Sequence, residues 1–350
     1  MITPVSPLLF IVLSLLSSAP ANTSSTADAW LWQRDHVDVD SIAAFAAFSR
    51  GRLHVLAVDD GFFQHDPALV AALAQQHTPT IVTVRLSALG DVRVVVDAVA
   101  WWRSRGVDVR AVEIDHDCPS RQLLVYAAWL TTVKAALTAS STALVITALP
   151  TWWGHRDHAA VLAAVDELTV QLHAIRAPAL FDVDDALRFV RAHPSLRVAL
   201  PTYAVTLKNG RAIFANAADV ARVRAVATDV AWFRLPARDD VTAFTWATLR
   251  AVDAGAVVPG ALVVKLQQQA DGAVSIVVCN DGPVDLALGA VDVSGALVAD
   301  AVTGFTIRQK DHSWRFSPWQ ARYVAAGANV VVGWARADSS GTLRADAIAP

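Results

Sequence analysis

The segment Val109-Arg110-Ala111-Val112-Glu113-Ile114-Asp115-His116-Asp117-Cys118-Pro119 is a β-branched run with a carboxylate at every second position. Because side chains alternate between the two faces of a strand, Glu113, Asp115 and Asp117 are predicted to share one face. The valine and isoleucine between them then face the other side, where they can pack against helices. A strand with three acids on one face predicts the lining of an active site rather than a packing surface.

Short β-rich runs alternate with helical patterns from residue 30 to about residue 255, which is typical of βα units around a parallel sheet. The strand candidates are Trp30–Arg34, Leu53–Asp59, Thr80–Ser87, Val109–Asp117, Ala143–Leu149, Glu167–His173, Arg197–Tyr203 and Val230–Leu235. Helices are predicted from Asp66-Pro67 onwards and over 120–139, 157–164, 217–227 and 241–254. Eight strands of this kind predict an α/β protein with a closed (β/α)8 barrel, the TIM barrel, over residues 30–255.

Beyond residue 255 the pattern changes to short alternating strands, with turn signals such as Ala270-Asp271-Gly272 and Asp281-Gly282-Pro283. No helical stretch of useful length follows. We therefore predict a small antiparallel β-sandwich over residues 260–350.

The first residues have the pattern of a secretory signal peptide, with an apolar run over 8–16 and an A-x-A site at Ala19-Pro20-Ala21. Residues 1–21 are therefore predicted to be a signal peptide and 22–29 a linker, and the mature protein is expected in the periplasm or outside the cell. An uncleaved anchor is the less favoured alternative, because the run is short of the ~20 apolar residues that span a bilayer. We expect no membrane span in the mature chain.

The composition argues against a nucleic-acid partner and leaves open whether the two cysteines form a disulfide. The 350 residues are 54% hydrophobic and 17% charged, with a formal net charge of −3 and no basic run, so we expect no nucleic-acid partner. The two cysteines, Cys118 and Cys279, allow a disulfide in an exported protein, but buried free thiols are the favoured interpretation.

In a TIM barrel the active site is built at the C-terminal ends of the strands. The residues expected there, facing inward, are Arg34, Asp35, Asp59, Asp60, Arg85, Thr147, Gln171, His173, Tyr203, Trp232 and Arg234. Acids gathered with arginine, tyrosine and tryptophan predict carbohydrate chemistry, because carboxylates protonate a glycosidic oxygen while indole faces stack on sugar rings. A polysaccharide or oligosaccharide is therefore the expected ligand.

The three acids are predicted to differ in role. Mutual repulsion and partial burial are expected to raise at least one of their pKa values. Asp117 lies nearest the mouth, so it is the expected proton donor and Asp115 its charged partner. Glu113 lies deeper and is expected to be structural, paired with Arg85, although it is grouped with the substrate-binding residues. The alternative is that all three acids form a buried ion-pair network with Arg34 and Arg85 and perform no chemistry.

The remaining site residues are expected to hold the substrate. Tyr203 is grouped with the catalytic acids, Gln171 with the binding residues, and Trp152, Trp153 and Trp232 are expected to supply aromatic platforms.

Two metal-binding alternatives are less favoured. His155 and His158 lie three apart near the predicted mouth and could ligate a metal with Asp117, although a solvated helix start explains them as well. The acidic run 182–185 could bind calcium, but helix capping by Asp184 is the simpler account. We therefore predict no metal and no cofactor.

Two families share these motifs. Val109 to Pro119 resembles the strand-four motif of family 18 glycoside hydrolases, the chitinase family, whose pattern is D-x-x-D-x-D-x-E followed closely by Pro. In that alignment Arg110 stands at the first acid, Glu113 at the second, Asp115 at the third, and Asp117 replaces the glutamate. The resemblance implies that the substrate's own acetamido group is the nucleophile, oriented by Asp115, and that Tyr203 takes part.

Over most of its length the chain is similar to a bacterial family known as domain of unknown function 3142. The similarity lies in the first-strand segment Ala29-Trp30-Leu31-Trp32-Gln33-Arg34, in Asp115-His116-Asp117-Cys118-Pro119, and in Thr147-Ala148-Leu149-Pro150-Thr151-Trp152. It implies an exported, glycosidase-like barrel and brings no activity with it. The sequence therefore predicts a glycoside hydrolase-like protein, with a non-catalytic glycan-binding or cell-envelope scaffold protein as the alternative.

Overall fold

The structure is a computed structural model that describes residues 25–32, 38–64, 66–174, 179–337 and 342–350. The predicted signal peptide, Arg34 and Asp35 lie outside these residues. Eight strands form the first part of the chain: β1 Asp28–Leu31, β2 Leu53–Asp59, β3 Thr80–Arg85, β4 Val109–Asp115, β5 Ala143–Ala148, β6 Glu167–Gln171, β7 Arg197–Pro201 and β8 Asp229–Phe233. Each pairs in parallel with its neighbours, and β1 pairs with both β2 and β8, so the ring is closed. The predicted TIM barrel is confirmed.

One helix follows each barrel strand within the described residues. They are α1 Asp40–Phe48, α2 Pro67–Gln76, α3 Val92–Arg103, α4 Leu123–Leu137, α5 His158–Ala164, α6 Val183–Ala192, α7 Ala217–Arg224 and α8 Trp246–Asp253. Helix α2 begins as predicted, because the Asp66 side chain accepts hydrogen bonds from two backbone N–H groups of the first turn. Helix α8 begins five residues later than predicted, since Thr245 caps it. Asp182, rather than Asp184, caps α6.

Most barrel strands end earlier than the sequence suggested, which moves predicted site residues into the loops. Strand β4 ends at Asp115, so Asp117 lies beyond it, and β6 ends at Gln171, with His173 in an isolated bridge to Phe181. Strand β7 ends at Pro201, so Tyr203 also follows its strand. These loops lie at the C-terminal end of the barrel, where TIM-barrel active sites are found.

A charge network closes the opposite, N-terminal end of the barrel. Asp28 accepts hydrogen bonds from Arg52 and Arg197, each at 2.9 Å. The same two arginines bind Glu167, and Arg197 also reaches Asp229 at 3.0 Å. Burial alone would raise the pKa of Asp28, but His54 and the two arginines lower it well below its usual value. The Asp28 carboxylate is therefore ionised. The network joins residues that lie in, or just before, strands β1, β2, β6, β7 and β8.

The C-terminal region consists of antiparallel strands, as predicted. They are β9 Val263–Gln268, β10 Val274–Cys279, β11 Leu286–Ala287, β12 Val291–Ser294, β13 Ala296–Ala301, β14 Phe305–Lys310, β15 Ser313–Pro318, β16 Tyr323–Val324, β17 Asn329–Ala337 and β18 Arg344–Ala347. The first sheet has the order β9-β10-β17-β13 and the second β14-β15-β12-β18. Ile276 and Val332 of the first sheet share a core with Val293 and Phe316 of the second. The two sheets form the predicted sandwich.

The sandwich is bound to the loops at the barrel mouth. The Tyr323 hydroxyl lies 3.1 Å from the carbonyl oxygen of Tyr203 and 2.8 Å from that of Ala215, and it donates to them. The Thr245 hydroxyl donates to Asp285 at 3.0 Å. The C-terminal region therefore fixes the backbone of the loop that carries Tyr203.

One described helical stretch, Ser120–Ser140, is long and apolar enough to cross a membrane by length and composition. Here it lies on the barrel, with Leu123, Tyr126, Leu130 and Val133 buried in the core. We expected no stretch after residue 21 to resemble a membrane span, and among the described residues this stretch alone does.

The two cysteines, Cys118 and Cys279, are buried free thiols, which is the interpretation favoured from the sequence.

Tight packing in the sandwich core predicts that a larger side chain at Gly333 destabilises the protein. A methyl group there would overlap the ring of Phe316 and the carbonyl oxygen of Asp300. Gly333→Ala is therefore expected to lower the free energy of unfolding by about 1–3 kcal/mol, measured by urea denaturation. Gly90→Ala, where the new methyl group meets nothing within 4 Å, is the matched control. An equal effect of both substitutions would contradict the tight packing at Gly333.

Candidate active site

The charged half of the barrel mouth is formed by strands β2 to β5. Thr147 donates a hydrogen bond to Asp115 at 2.8 Å, and the Arg85 guanidinium lies 3.9 Å from the other Asp115 oxygen. Arg85 also donates to Asp59 at 2.9 Å. Side-chain exposure of 20% for Asp115 and 41% for Arg85 keeps both within reach of a ligand.

Asp115 is the acid whose proton affinity is most clearly altered. Burial raises its pKa, and so do the negative charges of Glu113 and Asp117, while the Thr147 hydrogen bond and Arg85 act in the opposite direction. The resulting pKa is about 7. Asp115 therefore holds a proton under mildly acidic conditions, which is what a general acid must do.

Asp117 lies beyond the end of β4 and is exposed. The prediction that it shares a strand face with the other two acids is wrong, because the parallel ladder with β3 ends where Leu86 donates to the Asp115 carbonyl. Its charge still acts on Asp115. Its role as proton donor stays a prediction.

Glu113 is fully buried, and its predicted pairing with Arg85 is wrong. Its carboxylate accepts hydrogen bonds from the Trp30 indole at 2.8 Å and the Thr83 hydroxyl at 3.0 Å, and it lies 2.8 Å from the His54 Nδ1. Arg85 lies one step nearer the mouth, so it meets Asp59 and Asp115 instead. With three partners and no exposed surface, Glu113 is not placed to touch a substrate.

His54 connects Glu113 to the charge network at the base of the barrel. Burial alone would lower its pKa, but the charges of Glu113 and Asp28 and the hydrogen bonds to them raise it to about 9. Its Nε2 lies 3.5 Å from Asp28, which makes that a contact of charges more than a well-formed hydrogen bond. The imidazolium therefore lies between two carboxylates and is attracted to both.

The other half of the mouth is aromatic. The Phe233 ring lies 4.9 Å from His173, 5.4 Å from Tyr203 and 5.6 Å from Trp32, measured between centroids. The Tyr203 hydroxyl and His173 Nδ1 are 3.3 Å apart. Burial lowers the pKa of His173 to about 3 and raises that of Tyr203 to about 12, so both side chains are neutral. These four rings, contributed by β1 and by β6 to β8 with their following loops, are called the aromatic wall.

The three tryptophans predicted as platforms are not in this wall. Trp232 is fully buried in the cluster between strands and helices, because Asp229 and Ala231 take the inward positions of β8 and the next is Phe233. Trp152 is also buried, and its indole donates to the Cys118 carbonyl at 2.9 Å. Trp153 packs at 5.2 Å against Phe189 of α6, so it belongs to the helix layer.

Other predicted residues keep positions from which they can act. Gln171 is the last residue of β6, two residues before the predicted end, and its side-chain amide donates to the His173 carbonyl at 3.1 Å. Arg234 binds Asp240 at 2.6 Å, close to the loop after β8. The binding roles of Gln171 and Arg85 and the catalytic role of Tyr203 stay predictions.

Sequence reasoning missed His54, Phe233 and Phe62. His54 stands in the apolar run Leu53–Asp59, where a lone polar residue is a signal of an inward position. Phe233 follows from the alternation that begins at Asp229. Phe62 is 75% exposed in the short strand after β2, which pairs with the end of β2 beside Asp59.

The metal alternative has little support in the geometry. His155 Nδ1 lies 3.7 Å from Asp157, and within the described ranges no group of three or more His, Cys, Asp or Glu side chains is arranged to hold a metal ion. The absence of a metal site stays a prediction.

Residues 77–225 match the family described as domain of unknown function DUF3142. The resemblance to that family is thus confirmed over those residues. Residues 263–338, within the sandwich, match a second family described as a domain of unknown function, DUF8456. No curated protein matches.

Several solved structures are similar in fold. A chitinase from Chromobacterium violaceum ATCC 12472 has 12% identity and a TM-score of 0.46, covering 67% of this chain and 100% of its own. A GH18 chitinase, ChiB, from Flavobacterium johnsoniae has 11% identity and a TM-score of 0.46, covering 67% and 94%. The spore cortex-lytic enzyme SleL from Bacillus megaterium QM B1551 has 10% identity and a TM-score of 0.44, covering 61% and 70%.

The charged state of His54 predicts a pH dependence of stability. An exposed histidine loses its proton near pH 6.5, whereas His54 in the folded protein keeps it to about pH 9. Between these values the folded protein binds the extra proton, so the free energy of unfolding falls as pH rises, by on the order of 3 kcal/mol. His54→Gln should remove this slope in urea unfolding at pH 6.5 and 9. His312→Gln, at an exposed site, is the control and should leave it unchanged.

Asp115 predicts a second pH dependence, with the same sign in a lower range. Its pKa is 3.8 in an exposed setting and about 7 in the folded protein, so stability is lost as pH rises between these values. Asparagine cannot ionise, so Asp115→Asn is expected to gain stability over the wild type from pH 4 to pH 8. At exposed Asp271 the pKa is lowered from 3.8 by backbone and arginine hydrogen bonds, so its contribution to stability changes only below that pH, and Asp271→Asn should keep a constant difference from the wild type over pH 4 to 8. Parallel trends in the two variants would contradict the buried state of Asp115.

Proposed function

We propose that the barrel mouth hydrolyses a glycosidic bond. The observation that carries the proposal is the position of Asp115: a largely buried carboxyl with a pKa of about 7 at the C-terminal end of a barrel strand, beside Asp117 and across from an aromatic wall. A proton donor facing stacked rings is the arrangement that protonates a leaving-group oxygen while a sugar ring is held.

In this proposal Asp115 donates the proton, and the roles expected from the sequence are exchanged. Asp117 is exposed, and its charge helps to hold the proton on Asp115. As the carbon–oxygen bond breaks, the proton of Asp115 passes to the leaving oxygen, and positive charge develops on the sugar. The Asp117 carboxylate, whose charge already acts on Asp115, stabilises the positive charge on the sugar. The assignment with Asp117 as the acid is the alternative, and it makes a different prediction.

The aromatic wall contributes orientation. The rings of Trp32, Tyr203 and Phe233 offer flat apolar surfaces, and the Tyr203 phenol and the Gln171 amide can hydrogen-bond hydroxyl groups of a sugar. The four side chains of the wall include no carboxylate. The resemblance to family 18 fits this, because an acetamido group of the substrate would act as nucleophile and water would then complete hydrolysis and return the proton to Asp115.

Two variants distinguish the assignments. With Asp115 as the acid, Asp115→Asn should lower turnover by about 10²–10⁴-fold. Wild-type activity should fall as pH rises through about 7, because the acid then loses its proton. Asp117→Asn should keep part of the turnover and move this fall to lower pH, because a negative neighbour has been removed. The assay is release of reducing ends from a panel of bacterial and chitin-type glycans.

Other outcomes are equally informative. Loss of turnover in Asp117→Asn, with only a shifted profile in Asp115→Asn, would restore Asp117 as the acid. No release of reducing ends by the folded wild type would overturn hydrolysis. It would favour the non-catalytic glycan-binding or scaffold function, for which the enclosure of Glu113 in a structural network is the supporting observation.

Export is part of the proposal, because polysaccharides of the cell envelope lie outside the cytoplasm. The support is the signal-peptide pattern of residues 1–21. Mass spectrometry of the N-terminus of the protein recovered from the producing cells tests it, with a new terminus after Ala21 as the expected result. A mature protein that still begins at Met1 would contradict cleavage.

A further inference from the structure

The outer face of the first sheet, far along the chain from the barrel acids, contains an open depression around Trp334. Its volume is about 520 Å³, and its lining consists of Gln269, Ala270, Asp271, Ala273, Ser275, Trp334 and Arg336. Strands β10 and β17 and the turn after β9 contribute these residues. They match no part of the barrel site described above.

The strand register places polar side chains in one row with the tryptophan. Ser275 pairs directly with Trp334 and, on its other side, with Gln267. Trp334 in turn pairs with Asp300 of β13. Neighbouring strands lie about 4.8 Å apart, so this row of four residues crosses about 14 Å of sheet. That length suits a short stretch of an extended chain.

Packing against the second sheet determines which side chains of the first sheet point outward. The adjoining residues Val332, Gly333 and Ala335 are buried, and Gly333 lies directly against Phe316 of the second sheet. Side chains alternate along the strand, so Trp334 and Arg336 are directed outward. The indole is thus held on a rigid, well-packed strand rather than on a loop.

The polar groups that line the depression are available and collectively neutral, and the Asp300 carboxylate at the end of the row is not part of that lining. The Gln269 amide donates to the Ser275 hydroxyl at 3.0 Å, which leaves the amide oxygen to accept from a ligand. Arg336 binds Asp271 at 3.0 Å, so the two formal charges cancel. Trp334 is partly exposed, and its indole N–H has no hydrogen-bond partner within the described part of the chain.

From this arrangement we infer that the first sheet carries a second binding site, which takes a neutral polysaccharide chain. An indole face stacks on a sugar ring, and the amide, the hydroxyl and the ion pair bind hydroxyl groups. A nucleic acid needs an excess of positive charge, which this lining lacks. The open shape suits a polymer that continues past the site at both ends, more than a small molecule that must be enclosed.

The site goes beyond the proposed hydrolysis and does not depend on it. The sandwich would hold the protein on a polymer whether or not the barrel mouth cleaves that polymer. Tyr323 and Asp285 bind the sandwich to the barrel, so a chain held at Trp334 would stay near the mouth.

The test is binding of the full-length protein to insoluble chitin, cellulose and isolated peptidoglycan, measured by co-sedimentation over a range of polysaccharide concentrations. Asp115→Asn serves as the parent protein, so that cleavage cannot remove the polymer during the assay. Adding Trp334→Ala is expected to weaken binding about tenfold to at least one of the three polymers. Gln269→Ala, a milder change, should weaken binding to the same polymer.

Trp319 supplies the matched control, because it is a tryptophan of the same region, is 59% exposed and lies outside the depression. Trp319→Ala should bind as the parent does. The inference is overturned if the parent binds none of the polymers, if Trp334→Ala binds as the parent does, or if both tryptophan variants lose affinity equally. Loss of self-association in Trp334→Ala without loss of polymer binding would also overturn it, since the face would then join two copies of the chain.

Discussion

The pairing of Glu113 with His54 inside the barrel is the interaction on which the rest of the site depends. A carboxylate with no exposed surface is costly unless it is paired and hydrogen-bonded. Glu113 meets that requirement through His54, Trp30 and Thr83. His54 also contacts Asp28, which in turn binds the arginines that close the base of the barrel. One buried negative charge is thereby fixed directly beneath the mouth.

The negative charge of Glu113 helps to set the pKa of Asp115. The carboxyl of Asp115 lies one inward position nearer the mouth on the same strand, and both burial and the Glu113 charge favour its protonated form. Arg85, which would have favoured the ionised form more strongly, divides its contacts between Asp59 and Asp115. The structural network and the candidate acid are therefore two parts of one electrostatic arrangement. Removing a partner from the first changes the second.

The sequence predicts the barrel well and the mouth only in part. Eight apolar runs separated by helical patterns are enough to predict the fold, because parallel strands are covered on both faces. Alternation also predicts the inward positions of Thr147 and Gln171 correctly. It fails at Trp232, because the inward set on β8 depends on which residue starts the strand, and Asp229 starts it. It fails at Asp117 because a strand ends where its hydrogen bonds to the neighbouring strand end. The last such bond between β3 and β4 runs from the Leu86 N–H to the Asp115 carbonyl. Partner choice, such as His54 for Glu113, depends on contacts between distant segments that no local pattern contains.

The central claim is that Asp115 holds a proton near neutral pH because of burial and the Glu113 charge. The most direct measurement is a ¹³C NMR titration of aspartate-labelled protein, with the Asp115 signal assigned by its absence from Asp115→Asn. We expect a midpoint of about pH 7 for Asp115, and a lower midpoint in Glu113→Gln. A midpoint near 3.8, the ordinary value for an aspartate, would contradict it.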